Sequence, residues 1–241
     1  MTTAVAQPRS AGDAADAAPA MPFENGDRMS AERFMRRYER LPGLSHVQLV
    51  EGVVYMPSPV RYTQHAMPQH MMSMWLGTFA LKTPGVESVP EATLRLDGSN
   101  VPQPDVVGRI TEAAGGGSSV DDDGYLRGRP ELLIEIAASS SSIDLHDKRE
   151  AYRRNGVPEY LVWRPVDEVV DWFVLEEGRY VAMEAEQGLL KSRVLPGLWL
   201  DVAAAGRRDL AAVLQTLERG LDSDEHAAFA ARVQAAAGAT G

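Results

Sequence analysis

The chain has 241 residues, 44% of them hydrophobic and 24% charged, which suits one substantial domain with tails. No apolar run is long enough to span a membrane, the opening MTTAVAQPRSAGDAADAAPAMP lacks the apolar core of a signal peptide, and cysteine is absent. Disulfides and thiolate metal sites are thereby excluded, and a cytoplasmic location without a membrane partner is expected. The formal charge of −10 speaks against a broad basic face and leaves room only for a local basic rim, for which Lys148, Arg149, Arg153 and Arg154 are the candidates.

Residues 1–25 read as a disordered tail, 26–205 as the folded domain and 206–241 as a C-terminal helical extension. MSAERFMRRYERLPG predicts a helix from Ala31 to Arg40, capped by Ser30 and closed by Leu41-Pro42-Gly43, with Phe34, Tyr38 and Leu41 on one stripe. HVQLVEGVVYM is rich in β-branched residues around Glu51-Gly52 and reads as a hairpin. Thr63 to Lys82 places Met67, Met71, Trp75 and Phe79 at helical spacing, a stripe that reads as core, with Pro68 in the first turn or at a kink. His65 and His70 are five apart and so fall on different faces of that helix, which assigns them helix-end or surface places and no shared metal.

Strands are expected at Glu87 to Leu96 and Asp105 to Ile110. Gly115 to Asp123 reads as a mobile loop bordering a groove; Asp121-Asp122-Asp123-Gly124 lacks the glutamate of a calcium loop and reads as a solvated turn. Glu131 to Ala137 and Glu159 to Arg164 flank a helix, which makes a strand-helix-strand crossover. Val169 to Leu175 and Tyr180 to Glu184 form a second hairpin about Glu177-Gly178, and a last strand ends at PGLWLDV. Asp209 to Glu218 and His226 to Ala235 read as two small alanine-rich helices.

Two acids inside apolar runs stand out. QPDVVGRI opens on Asp105, and ELLIEIAA encloses Glu135 between Leu132, Leu133, Ile134 and Ile136. A strand apolar on both faces is covered on both sides, so Glu135 is expected to be buried, where it either takes up a proton or finds a cation. A candidate cation lies on the helix Leu145 to Asn155, for which Asp144 is the N-cap and Gly156 with Pro158 the stop. Lys148 shares a stripe there with Leu145 and Tyr152, which turns it inward towards Glu135. Taken singly, Asp105 reads as a strand-start aspartate and Lys148 as a snorkelling lysine; together they point to one shared site. Two carboxylates on neighbouring strands outline a site for a hard cation such as Mg²⁺, and a lysine beside it suits charge growing on a phosphate. The run Ser139 to Ser142, with Asp144 and His146 nearby, lacks a G-x-S-x-G elbow; these serines read as a strand-to-helix turn whose N–H groups meet a phosphate.

Pro104-Asp105, Glu135 and Lys148 resemble the PD-(D/E)xK nuclease superfamily, and QLVEGVVYMPSP, VPQPDVVGRI, PELLIEIAASS, DLHDKREAYRRNGVPEYLVW and PGLWLDV, in that order, resemble its Uma2 branch. The resemblance implies an α/β (α+β) fold with a restriction endonuclease-like core, a mixed central β-sheet flanked by helices. It implies Asp105, Glu135 and Lys148 as catalytic residues, Mg²⁺ or Mn²⁺ as cofactor, DNA as substrate and a homodimer. It carries the lysine not two residues after the second acid, where Ala137 stands, but on the following helix, where Lys148 stands. It puts a metal-completing glutamate where this chain has Gln48, whose amide still offers one oxygen, and it places a histidine or glutamine near 64 to 65, close to the substrate groove. Glu51, three residues on from Gln48 along a strand, would face the other way. Two functions follow: a metal-dependent endonuclease, or a catalytically weak or inactive nuclease-fold module that binds nucleic acid or a protein partner.

Overall fold

In the computed structural model, residues 22–41, 43–44, 46–56, 59–138 and 143–239 are described. The expected tail lies mostly outside them, but Phe23 packs its ring 5.0 Å from Phe34. Helix α1 spans Ala31–Tyr38, and Ser30 Oγ accepts the Arg33 N–H as its cap. It ends two residues before Arg40. The hairpin follows as β1 (Gln48–Val50) and β2 (Val53–Tyr55), with Glu51 and Gly52 both at positive φ, the two-residue turn that suits strand twist.

A π-helical turn, Tyr62–Ala66, runs into α2 (Met67–Lys82), with Pro68 close to the junction of the two. Then come β3 (Val86–Pro90), β4 (Leu94–Arg95), β5 (Val106–Ile110), β6 (Ser118–Val120), β7 (Leu126–Gly128) and β8 (Leu132–Ile136). A second π-helical turn, Ile143–Lys148, leads into α3 (Arg149–Arg154). The chain finishes with β9 (Glu159–Arg164), β10 (Val169–Glu176), β11 (Arg179–Ala182), β12 (Leu189–Lys191), β13 (Trp199–Asp201), α4 (Val202–Gly206), α5 (Leu210–Leu221) and α6 (Asp224–Ala239).

The six-stranded mixed sheet has the order β11-β10-β9-β8-β5-β3 and is flanked by helices, as the α/β reading expects. Its one parallel pair is β8 with β9, joined across the sheet by α3; every other neighbour is antiparallel. Alternation along β8 splits its side chains between two cores. Leu132, Ile134 and Ile136 join Met71, Trp75, Leu76 and Phe79 of α2, while Leu133 joins Val107, Tyr152, Tyr160 and Val162. Each such buried side chain contributes about 1.5–3 kcal/mol. Glu135 is thus set on the second face, beneath the crossover.

Three sequence expectations are corrected. Glu87 to Leu96 is not one strand: the chain turns at Glu91 (φ 54), so that β3 joins the main sheet and β4 pairs with β7 in a separate three-stranded sheet. Gly115 to Asp123 is not loop throughout, because β6 pairs with β7 and the Glu131 carboxylate takes the N–H groups of Ile110 (2.6 Å) and Gly117 (3.1 Å). The helix expected from Leu145 begins instead as the π-helical turn, with Asp144 inside it and not at its cap. Ser139 to Ser142 lie outside the described residues.

The C-terminal helices are larger than expected and build the first core. Val213, Leu217, Phe229 and Val233 pack with α2, and His226 Nε2 stands 2.9 Å from Thr83 Oγ1. Close approach explains Gly220: a Cβ there would lie 2.2 Å from the Gly197 carbonyl oxygen. Among the described residues no helix is long and apolar enough to cross a membrane.

Candidate active site

The register of β5 on β8 pairs Val106 with Ile134 and Val107 with Leu133. Carried one step further, it places Asp105 opposite Glu135, on the same face of the sheet. Asp105 sits just before β5, and its Oδ2 accepts the N–H of Ile136 at 2.6 Å, so a side chain stands in for a ladder bond where the strands part. Its Oδ1 lies 3.0 Å from His65 Nε2, and its carbonyl accepts Gln69 Nε2 at 3.4 Å.

Glu135 is 3% exposed and Lys148 4%. Lys148 Nζ lies 2.9 Å from Glu135 Oε1 and 3.1 Å from Asp144 Oδ1, and Tyr152 donates its hydroxyl to the same Glu135 oxygen at 3.0 Å. The expected inward lysine therefore meets the buried acid. It also meets a second acid that sequence reasoning took for a helix cap. The spacing of four between Asp144 and Lys148, which puts both on one helical face, was the available signal. Tyr160 fixes the turn by donating to the Asp144 carbonyl at 2.9 Å.

His65 was the other residue missed. Faces counted on an ideal helix gave it no role; the resemblance placed a histidine near the groove, and the structure puts His65 on Asp105. Both site-bearing helices open with π-helical turns, whose wider winding often marks functional positions. His70 is exposed. Gln48, at the start of β1, uses its amide oxygen to accept the N–H of Gln103 at 3.4 Å, two residues before Asp105. Glu51 stands in the hairpin turn and pairs with Arg154 at 2.5 Å. Arg153 is likewise engaged, with Glu150 and the Gly178 carbonyl, so the proposed basic rim is largely neutralised within the fold.

Burial pushes the Glu135 carboxyl up to about 8; Lys148 opposes the shift, and Asp144 and Asp105 add to it. Burial alone would lower the Lys148 ammonium, but Asp144, Glu135 and Asp105 together hold it above its ordinary value. The hydrogen bond to Asp105 raises His65 against the effect of burial. Two buried acids thus flank one ammonium, with the partly buried Asp105 opposite Glu135 on the next strand, a grouping of oxygens that suits a cation. The donors are hard oxygens, and among the described residues the Lys148 and Tyr152 contacts to Glu135 both fall on Oε1. Among the described residues, however, no three histidine or acid side chains already stand together as a metal-binding group. The donor set fits a hard divalent ion by charge and chemistry, and binding one requires the acids to loosen their present partners.

A mixed six-stranded sheet flanked by helices, with acids on adjoining strands and a lysine on the crossover between β8 and β9, makes this an α/β protein. The chain belongs to the Uma2 family, described as "Putative restriction endonuclease", whose family model matches residues 32–203. Among solved structures it is similar to a "putative nuclease belonging to DUF820 from Anabaena variabilis ATCC 29413", with a TM-score of 0.55, 14% identity, and coverage of 71% of this chain and 96% of that one. At that identity the likeness speaks for the fold. Comparison with curated proteins finds no match. The family match ends before α5 and α6.

Proposed function

We propose that the protein is an endonuclease that hydrolyses phosphodiester bonds in DNA, with Mg²⁺ or Mn²⁺ held by Asp105 and Glu135 and the amide oxygen of Gln48 as a further donor. The observation that carries this reading is the buried Lys148 ammonium, 2.9 Å from Glu135 on the strand next to Asp105. Charges so placed cost more to bury than an apolar pair would, which favours a task for them beyond stability. The ion, when bound, supplies Lewis acidity and an activated water. Asp105 is held in place by Ile136 N–H and His65, and Glu135 is held by Tyr152. Lys148 offers a fixed positive charge to the non-bridging phosphate oxygens, where negative charge grows as water adds to phosphorus. One such centre cuts one strand, so breaking a duplex takes two copies, and a homodimer in the cytoplasm is part of this reading.

The test is cleavage of supercoiled plasmid and labelled oligonucleotides with Mg²⁺ or Mn²⁺. Wild-type protein is expected to nick DNA, and Lys148→Ala and Glu135→Gln are expected not to. A second reading is favoured by Gln48, whose oxygen is taken by Gln103, and by an Asp105 both of whose oxygens are already engaged. It makes the chain a nuclease-fold module that binds nucleic acid or a protein partner without cutting. Retained DNA binding with no cleavage in wild type or variant would decide for it.

A further inference from the structure

Asp144 is the acid of this cluster to which the reading above gives no task. It is 1% exposed, stands four residues before Lys148 on the same turn, and has its Oδ1 3.1 Å from the ammonium. Lys148 is therefore held by two carboxylates of different standing. Glu135 rides on the sheet and is claimed by the cation site, whereas Asp144 rides on the turn that carries the lysine, and the Tyr160 hydroxyl ties that turn back to β9. Were Glu135 the only partner, drawing it towards a metal would leave a buried ammonium without a counter-charge, a strongly disfavoured state. An ammonium also competes directly with a divalent ion for the same carboxylate.

We propose that Asp144 is a positioning residue for the nuclease chemistry: it is the standing counter-charge of Lys148, releasing Glu135 to a divalent cation while the ammonium stays buried, charged and aimed at the site. The proposal rests on the nuclease reading and adds to it the residue that lets one glutamate serve two cations. It also explains why the chain buries two acids against one lysine. The surplus acid is the one that never has to leave.

The experiment is Mn²⁺ titration of the full-length protein followed by electron paramagnetic resonance, with folding monitored by urea denaturation. Asp144→Asn keeps the shape of the side chain and removes its charge. It is expected to fold and to bind Mn²⁺ about tenfold more weakly or worse, in the range of losses seen when the support of a metal ligand is removed. Adding Lys148→Met to Asp144→Asn is expected to recover Mn²⁺ affinity, because no ammonium then competes for Glu135. Unchanged Mn²⁺ affinity in folded Asp144→Asn overturns the proposal, and so does a double variant that shows no recovery, the result of a merely structural role. If Asp144→Asn does not fold, the Lys148 ammonium signal in a nitrogen-resolved NMR spectrum of the wild type decides. It is expected to persist in slow exchange with solvent after saturation with Mg²⁺, and its loss overturns the proposal. Wild-type protein that binds no Mn²⁺ overturns the nuclease reading itself, and the role of Asp144 falls with it.

Discussion

Asp105 Oδ2 accepts the backbone N–H of Ile136 at 2.6 Å, so an acid of the candidate site is also the joint between β5 and β8 where their ladder ends. Asp105→Ala leaves that N–H without its partner and is expected to cost about 1–3 kcal/mol in urea denaturation, together with all cleavage. Asp105→Asn can still accept the bond through its amide oxygen. It is expected to keep most of the stability and still lose cleavage, separating the two duties of the side chain.

Lys148→Met removes the cation from between Glu135 and Asp144, both nearly sealed from water. At neutral pH the loss is expected to be about 3–5 kcal/mol, the usual cost of orphaning a buried charge. The sign with pH follows from Glu135, whose carboxyl burial raises and Lys148 lowers: without the ammonium it holds its proton still more tightly in the folded state than in the unfolded one. The deficit is therefore largest at alkaline pH and closes as pH falls towards about 5. An equal deficit at both ends of that range would contradict the arrangement.

Glu159 and Glu135 make the metal-free wild type pH-sensitive in the same direction. Burial pushes Glu159 up to about 7, although Trp172, Ser192 and the N–H groups of Arg193 and Val194 all donate to it, and burial pushes Glu135 up to about 8, both from 4.5. The folded state then keeps protons that the unfolded chain has released. Their contribution is fully present below 4.5 and is lost as pH rises through about 7 for Glu159 and about 8 for Glu135. The urea midpoint without divalent ions is expected to fall across this window, and Glu135→Gln is expected to flatten its upper part.

The C-terminal helices carry stability and not decoration. Phe229→Ala opens a cavity against Phe79 and is expected to cost about 3–5 kcal/mol. Gly85→Ala tests the same contact from the other side: a Cβ there would meet Val233 Cγ1 at 2.5 Å, at a φ of +92° that disfavours any side chain. Both losses should appear in urea denaturation with the site residues intact. A midpoint unmoved by either substitution would mean that α6 does not dock as described.

The elements with strong local patterns were legible from residues alone. The apolar run Leu132 to Ile136, the two-residue turns at Glu51-Gly52 and Glu177-Gly178, and the crossover from β8 to β9 follow from periodicity and turn chemistry, which depend only on near neighbours in the chain. The meeting of Glu135 with Lys148 was legible for the same reason, since a buried acid demands a partner and one inward-facing cation followed it. Less legible were the break at Glu91, which sends β4 to pair with β7 far along the chain, and the hairpin of β6 with β7, whose three-residue strands are too short to show a period. His65 took its role from a π-helical turn, which shifts side chains off the faces that ideal helical spacing assigns, whereas Asp144 sits at ideal spacing from Lys148 and was hidden only by being read as a cap. The sequence by itself determined that a carboxylate would be buried and that a lysine would face it, because burial and charge leave no other economical answer. Only the tertiary structure decided that a histidine would hold Asp105, because that contact joins segments whose relative placement no local pattern encodes, and that Asp144 would lie within the turn beside the lysine and not at a helix cap.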